Sequence, residues 1–303
     1  MKPREIIAAA WAVTTSEKKL RKWGFISAFF ELLRDIEFIL YQIYFLYYYI
    51  HGESKGYWSV EVLFFQSMPF WLFLAITLFL IVLLLVEFFL PSLCTGAIIG
   101  LAAKAYRKEE VKGGLVLGLY NFFPILVFRE FFLLSHFTTV FVIWSFILRY
   151  GGDDPSLKLT AMFLLFIIWI FTSLLHFFAS FAEQGIVIRK AGVFSAMGRS
   201  FKLILSYLSH VLFLFLLLLI ISLRIFVNAI LAFLIPGIVI GLGLLLTFIL
   251  PQILSYVIAS IVGIVLLLFL SHFLAYLHVF KQTVWTLAYE ELSAKKDLDV
   301  IEG

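Results

Sequence analysis

The sequence has a single cysteine and few charged residues, and each scarcity excludes a class of protein. One cysteine, Cys94, rules out an intrachain disulfide, and we interpret it as a small hydrophobic residue because no second Cys or His stands at ligand spacing. Charged residues make up 14% of the chain, against 63% hydrophobic residues. A water-soluble fold of this size has no means of hiding so much apolar surface, so the composition indicates a protein that is covered by lipid.

Signatures of catalysis, metal binding and cofactor binding are also missing. Five histidines occur on different apolar segments without a His-x-x-x-His or Glu-x-x-His pair, so each is interpreted as a lone polar contact and no metal is predicted. These are His136, His176, His210, His272 and His278. No glycine series precedes Lys-Ser or Lys-Thr, which excludes a nucleotide-binding loop. Lys and Arg are divided among short loops, so lipid head groups and not nucleic acid are the expected counterions.

Long apolar runs indicate an all-α, polytopic transmembrane helical bundle. We predict six spans, at residues 36–50 with an amphipathic lead-in from residue 25, 69–90, 125–150, 159–182, 211–235 and 251–280. Turn signals separate them, notably at residues 151–155 and at Pro236-Gly237. Pro91 is expected to kink the second helix without ending it, because the residues that follow remain compatible with a helix.

The distribution of Lys and Arg predicts the orientation of this bundle. Of 23 such residues, 17 lie in the two terminal segments and in the loops on the same side, and three lie in the opposite loops. Because cytoplasmic loops retain Lys and Arg, both termini are predicted to be cytoplasmic, which requires an even number of spans. The chain is thus divided into a cytoplasmic N-terminal segment, 1–24, without the pattern of a cleaved signal peptide, a membrane domain, 25–285, and a cytoplasmic tail, 286–303.

Two similar segments precede the third and fifth predicted spans. Residues 108–120 and 190–202 each combine a charged turn with an amphipathic stretch that is rich in small residues, followed by a long apolar run. Such stretches are typical of helices that lie in the cytoplasmic interface. An internal duplication is one explanation, and the basic, amphipathic loop ends of any helical membrane protein are the other.

A motif in the loop and helix after the fourth predicted span resembles a known family. Residues 183–204 contain Glu183, a turn at Gly192, and then Ala196, Arg199, Ser200 and Leu203 in an Ala-x-x-Arg-Ser-x-x-Leu pattern. This pattern, and the ending at residues 283–292, are similar to the glycerophosphoryl diester phosphodiesterase membrane-domain family and its six-helix relatives. The resemblance covers mainly residues 90–292 and implies a six-helix membrane domain, with Ala196, Arg199 and Ser200 as its family-like motif.

The departures from that family limit what the resemblance implies. The named enzymes carry a soluble catalytic barrel after the membrane region, and this sequence ends shortly past its last predicted helix. The acidic and histidine residues of such a barrel are missing as well, so we do not expect phosphodiesterase activity. What remains implied is the architecture, together with the plasma membrane of a prokaryote as the location.

Polar residues within the predicted spans are the candidates for function, because each costs several kcal/mol in hydrocarbon unless it is paired. Arg224 and Asn228 are four residues apart and share a helical face, which makes them the first candidate site. The others are Glu87, Arg129, Glu130 and Glu183. For all six, a substrate or proton site and a structural interhelical contact stay open as alternatives.

Three functions are consistent with these features. The first is a non-enzymatic, transporter-like or lipid-handling membrane domain, since catalytic sets are missing and polar residues lie within spans. The second is a structural or assembly subunit that binds a membrane-protein partner or a second copy of itself. The third is an intramembrane enzyme acting on lipids, with Glu87, Glu130 or Glu183 as acid or base.

Overall fold

The computed structural model describes residues 2–52, 56, 59–152 and 154–295, and the side chains of these residues except 64 and 221–236. Every regular element in those ranges is helical, which confirms the predicted all-α class. The α-helices are α1 (Pro3–Ser16), α2 (Lys18–Ile50), α3 (Ser59–Ser67), α4 (Phe70–Tyr106), α5 (Gly114–Phe131), α6 (Phe137–Tyr150), α7 (Pro155–Phe178), α8 (Ala182–Arg189), α9 (Val193–Ser206), α10 (Leu208–Leu246) and α11 (Gln252–Ser293). A short 3₁₀ turn, Leu133–Ser135, joins α5 to α6.

Several of these helices are suited to a membrane. Within the described residues, four are long and apolar enough to cross it, namely α4, α5, α7 together with α8, and α11. A fifth is obtained if α9 and the first part of α10, which meet at 99°, are counted as one bent span. Their outward faces carry large exposed side chains such as Trp71, Phe79 and Phe269, which a hydrocarbon layer would cover.

The structure differs from the predicted spans in three places. The first predicted span lies within α2, which carries four charged residues in its middle and is not among the helices that are apolar enough to cross. The third predicted span, 125–150, is broken at residues 132–136, between α5 and α6. The segment at 108–120 forms no separate helix, because its second half is the beginning of α5. The turn predicted at Pro236-Gly237 is wrong, because α10 continues to Leu246. A proline inside a helix leaves the carbonyl four residues earlier without its N–H donor. In a bundle, groups of neighbouring helices can bond to that carbonyl, so the helix can continue.

Two other local predictions are confirmed. Pro91 lies inside α4, and the helix runs on to Tyr106. The turn before Pro155 is present, with Gly152 at a φ of 82° and Asp154 as the N-cap of α7. The backbone N–H and hydroxyl of Ser156 both donate to the Asp154 carboxylate, and they hold the pKa of that carboxyl below its ordinary value. The predicted boundaries at 24/25 and 285/286 fall inside α2 and α11, not between elements.

Helices α4 and α5 pack closely through small residues. A Cβ at Gly118 of α5 would lie 2.6 Å from the backbone carbonyl oxygen of Leu93 on α4, so only glycine fits there. A Cβ at Gly96 would lie 3.0 Å from the Cδ1 of Ile125. Small residues of this kind let two backbones approach within a membrane, where hydrophobic burial gives helices no reason to associate. This close pair forms one wall of the site described below.

A compact core joins the two ends of the chain. Ile6 and Ala10 of α1 are fully buried against Val284 and Ala288 of α11. The Trp11 ring meets the Phe280 ring edge-on, with centroids 5.6 Å apart. α1 therefore lies along the last turns of α11, and this core fixes the part of α11 that carries the polar residues of the site.

Candidate functional site: a polar cavity inside the bundle

A cavity of about 520 Å³ lies between the middle of α2 and helices α4, α5, α7, α8, α10 and α11. Eleven polar residues and six apolar residues line it. The polar ones are Glu31, Thr95, Arg129, His136, Ser173, His176, Ser180, Glu183, His278, Lys281 and Gln282. A volume of this size is within the range of small-molecule sites, and polar groups in an otherwise apolar bundle indicate a place where they have a task.

An ion pair between two distant helices forms the centre of the site. Arg129 of α5 donates from Nη2 to Oε1 of Glu31 on α2 at 2.7 Å, and their side chains are only 17% and 23% exposed. Nδ1 of His278, on α11, lies 3.8 Å from the other Glu31 oxygen. Glu31 thus holds α2, α5 and α11 together. A half-buried charge pair of this kind is stable because each partner offsets the desolvation of the other.

Two buried nitrogen atoms in the site have no hydrogen-bond partner among the described residues. Nη1 of Arg129 and Nε2 of His278 are buried, and neither finds a partner among the described residues. Lys281, one residue before Gln282 on α11, also lines the cavity; it is exposed and makes no ion pair within the described part of the chain. Buried donors are almost always satisfied in native proteins, so unused donors beside a cavity indicate a ligand or water as their partner.

The second carboxylate of the cavity has a different environment. Glu183, in the first turn of α8, accepts a hydrogen bond from Nε2 of Gln282 at 2.7 Å, and no cation pairs with it in the described ranges. Glu31 and Arg129 neutralise each other. Among the described residues that line the cavity, the Glu183 carboxylate and the Lys281 ammonium group are then the charges without an ion-pair partner. The cavity therefore contains a carboxylate without a cationic partner as well as an unpaired ammonium group.

Two histidines lie at the break between α5 and α6. The His176 ring stacks on Phe132 with centroids 4.8 Å apart, and its Nδ1 is 3.0 Å from the Ser135 hydroxyl. The His136 ring lies 6.3 Å from that of His176. No group of three metal-ligating side chains is found among the described residues. His136, His176 and His278, which lie on separate elements and were each predicted to make a lone polar contact, line one cavity.

A second, smaller cavity of about 230 Å³ adjoins this one. Arg129 and His136 line both cavities, and the smaller one is otherwise bounded by groups that include Arg34, Asp35 and Glu130. Arg34 lies 3.6 Å from Asp35 and places its guanidinium over the Phe88 ring. Arg129 and His136 therefore lie between the two cavities.

The predicted site residues have different positions in the structure. Arg129 and Glu183 line the large cavity, and Glu130 lines the small one. Glu87 is fully buried on α4 and lines neither. Arg224 and Asn228 belong to the backbone of α10, but their side chains lie outside those the structure describes. The three carboxylates of the enzyme hypothesis, Glu87, Glu130 and Glu183, thus line no common cavity among the described residues.

The sequence contained signals for some of the residues that it failed to single out. Glu31, Arg34 and Asp35 stand three and four residues apart, which puts them on one helical face. His278 and Gln282 are four apart on α11 and share a face in the same way. Both patterns are polar faces on apolar helices, and both line the cavities.

The family-like motif has a structural task beside the cavity. Ser200 of α9 is buried, and its hydroxyl donates to the Phe178 carbonyl at 2.8 Å and accepts from the Phe181 N–H at 3.0 Å. These two backbone groups flank the break between α7 and α8, directly before Glu183. Ala196 is buried near Gly185, and Arg199 is half-buried. Comparison of the chain with family models, with curated proteins and with solved structures found no match.

Proposed function

We propose that this protein is a non-enzymatic, lipid-handling membrane domain whose large cavity holds the head group of a phospholipid that carries both a phosphate and an amine. The observation that carries the proposal is the arrangement of unused groups in one cavity. Arg129 and His278, each with a buried nitrogen that has no partner among the described residues, line the same cavity as Glu183, which has no cationic partner there, and an apolar wall adjoins them. A ligand that matches all three has an anionic group, a cationic group and an apolar part.

The donors favour a phosphate at the Arg129 end. The Arg129 guanidinium donates to Glu31 through Nη2, and its Nη1 has no hydrogen-bond partner among the described residues. Nε2 of His278 has no such partner either. Lys281 adds a positive charge from the next turn of α11. Guanidinium and ammonium groups are the usual partners of phosphate oxygens, and each charge-assisted hydrogen bond is worth roughly 1.5–3 kcal/mol.

The carboxylate favours an amine at the α8 end. Gln282 occupies only one oxygen of Glu183, and no Lys or Arg of the described residues lies within ion-pair distance of it. A purely anionic head group would therefore meet repulsion from Glu183. An ammonium group would instead supply the missing countercharge, so a zwitterionic head group fits better than an anionic one.

The apolar wall favours an amphiphile over a soluble zwitterion. Phe177, Phe215, Leu218 and Leu219 line the cavity on the side of α7 and α10. Leu219 is 46% exposed, so this wall continues to the outer face of α10 that hydrocarbon would cover. An acyl chain can follow the wall outward while the head group stays inside.

The proposed topology keeps six spans with both termini cytoplasmic, in the plasma membrane of a prokaryote. The six are α2, α4, the broken pair α5 and α6, α7, α10 and α11. In α2 the pairing of Glu31 with Arg129 and of Arg34 with Asp35 reduces the cost of charge within a span. Helix α9 is proposed to lie in the interface, since Phe194 is 72% exposed and Lys202 accompanies it. The family resemblance remains part of this proposal.

The test is mass spectrometry of the lipids that stay with the protein after purification in mild detergent. We expect wild type to retain phosphatidylethanolamine, and Arg129→Gln to retain at least tenfold less. Glu183→Gln should shift the retained lipid from phosphatidylethanolamine toward phosphatidylglycerol, which has no amine. Arg107→Gln is the control, since Arg107 pairs with Glu290 away from the cavity.

Other outcomes would overturn the proposal. Equal retention of both lipids by wild type and Glu183→Gln would remove the role of the carboxylate. Displacement of the lipid by soluble glycerophosphoethanolamine at equal concentration would favour a solute site, and hence transport. A protein partner at fixed stoichiometry, with no retained lipid, would favour the assembly subunit.

A further inference from the structure

Glu87 of α4 is a carboxylate that lines neither of the two cavities. It lies near the middle of α4, which has the length and composition of a membrane span, and its side chain is fully buried. Neither carboxylate oxygen has a hydrogen-bond partner among the described residues. An ionised carboxylate in such a place costs many kcal/mol in lost hydration, which in proteins is avoided by a partner, a bound cation or a proton.

The charged groups that act on Glu87 from α2 provide no partner. Glu37 repels a negative charge at Glu87, and Arg34 attracts it from beyond hydrogen-bonding distance. Arg34 is engaged elsewhere, with its guanidinium 5.5 Å from the Phe88 ring centroid and 3.6 Å from Asp35. Arg34 therefore makes no hydrogen bond that would neutralise Glu87, and Glu37 opposes its ionisation.

The other helices in contact with α4 direct their charged groups to other sites. Glu61 of α3 contacts Tyr41, Arg129 of α5 pairs with Glu31, and Glu130 of α5 lines the small cavity. On α8, Glu183 accepts a hydrogen bond from Gln282, and Arg189 donates one to the Ser293 carbonyl. His278 of α11 lies beside Glu31. Glu5 of α1 accepts from the Lys2 backbone. Among these, none reaches the carboxyl of Glu87 in the described part of the chain.

We infer that Glu87 is a proton-binding site of the membrane region, occupied at neutral pH, and separate from the proposed lipid site. The inference rests on the burial of Glu87, on its two oxygens without a partner among the described residues, and on the negative charge of Glu37, which opposes ionisation. It assigns a proton as the ligand, with Glu87 as its acceptor.

Infrared spectroscopy of the protein in lipid bilayers at neutral pH tests this directly, because a carboxylic acid has a C=O stretching band that a carboxylate lacks. We expect the band in wild type, a shift of the band in heavy water, and its loss in Glu87→Gln. Glu290→Gln, which removes a carboxylate paired with Arg107, should leave the band unchanged.

Each of the other results would refute the inference. A band that persists in Glu87→Gln and disappears in Glu37→Gln would place the proton on Glu37. A spectrum without any such band in wild type would mean that Glu87 is ionised. Failure of Glu87→Gln to fold would count against a proton too, because glutamine keeps the shape and neutrality of the protonated acid.

Discussion

Removing the positive charge of the Glu31–Arg129 pair should destabilise the bundle by about 3 kcal/mol, because it leaves a largely buried carboxylate without its partner. The variant is Arg129→Gln. After the substitution the only basic side chain described within ion-pair distance of Glu31 is His278, at 3.8 Å. The predicted cost therefore includes both the lost attraction and the unpaired charge that stays behind.

The magnitude follows from the geometry of the pair. Charges 2.7 Å apart attract by about 6 kcal/mol at an effective dielectric constant of about 20. The desolvation of both groups offsets part of that attraction. A net coupling of about 2–3 kcal/mol is therefore expected in a double-mutant cycle that combines Arg129→Gln with Glu31→Gln.

The chain contains a matched control on its surface. Arg107 and Glu290 form an Arg–Glu pair at 2.6 Å, but the Arg107 side chain is 45% exposed. Solvent screens such a pair, so Arg107→Gln should cost less than about 1 kcal/mol. Residue type and distance are nearly the same in the two pairs, which leaves burial as the difference.

The assay is denaturant unfolding of all five proteins in one detergent, followed by tryptophan fluorescence. The double variant should lose about 3–4 kcal/mol, well below the sum of the two single losses, because the pair is then removed as a unit. If the costs of the two single substitutions simply add, the pair makes no net contribution. If Arg129→Gln and Arg107→Gln cost the same, the argument from burial is wrong.

Two further substitutions test the packing around the site by the same unfolding measurement. Gly118→Ala should cost about 1–3 kcal/mol, because its Cβ would lie 2.6 Å from the Leu93 carbonyl oxygen, whereas Gly198→Ala has open space and should be neutral or stabilising; equal effects would contradict the close approach of α4 and α5. Ser200→Ala should cost about 2 kcal/mol, because it leaves the two backbone groups at the α7–α8 break without their partner. Ser206→Ala, which removes an exposed hydroxyl bonded within its own helix, should change little, and a similar loss in both would refute that role.

Composition and apolar runs were sufficient to predict the helical class. In a lipid-covered bundle nearly every position on a span is apolar, so length decides the element and turn residues decide its ends. This reasoning succeeded at Gly152 and Pro155, where the turn is present. It failed at Pro236-Gly237, since a bundle tolerates a proline that a soluble helix would not.

The apolar character of nearly every position on a span also prevented prediction of the site. A span that is apolar on all sides gives no periodicity to show which face meets lipid and which meets protein, so the inward faces were not predictable. The central ion pair joins residues 98 positions apart, Glu31 and Arg129, and no local spacing connects them. Only the polar faces within one helix, such as His278 with Gln282, were accessible to sequence reasoning.

The chain thus carries two carboxylates in low-dielectric surroundings, and the contrast between them yields the last prediction. Glu31 has an arginine at 2.7 Å, so its charge is retained and needed. Glu87 has no partner among the described residues, so the inference above gives it a proton instead. Replacing an acid with its isosteric amide removes a needed charge in the first case and changes almost nothing in the second. Glu31→Gln should therefore lower the free energy of unfolding by about 3 kcal/mol, and Glu87→Gln should leave it unchanged at neutral pH. Equal losses in the two variants would mean that Glu87 is ionised and stabilised by a cation, because only a charged carboxylate loses such an interaction on conversion to the amide.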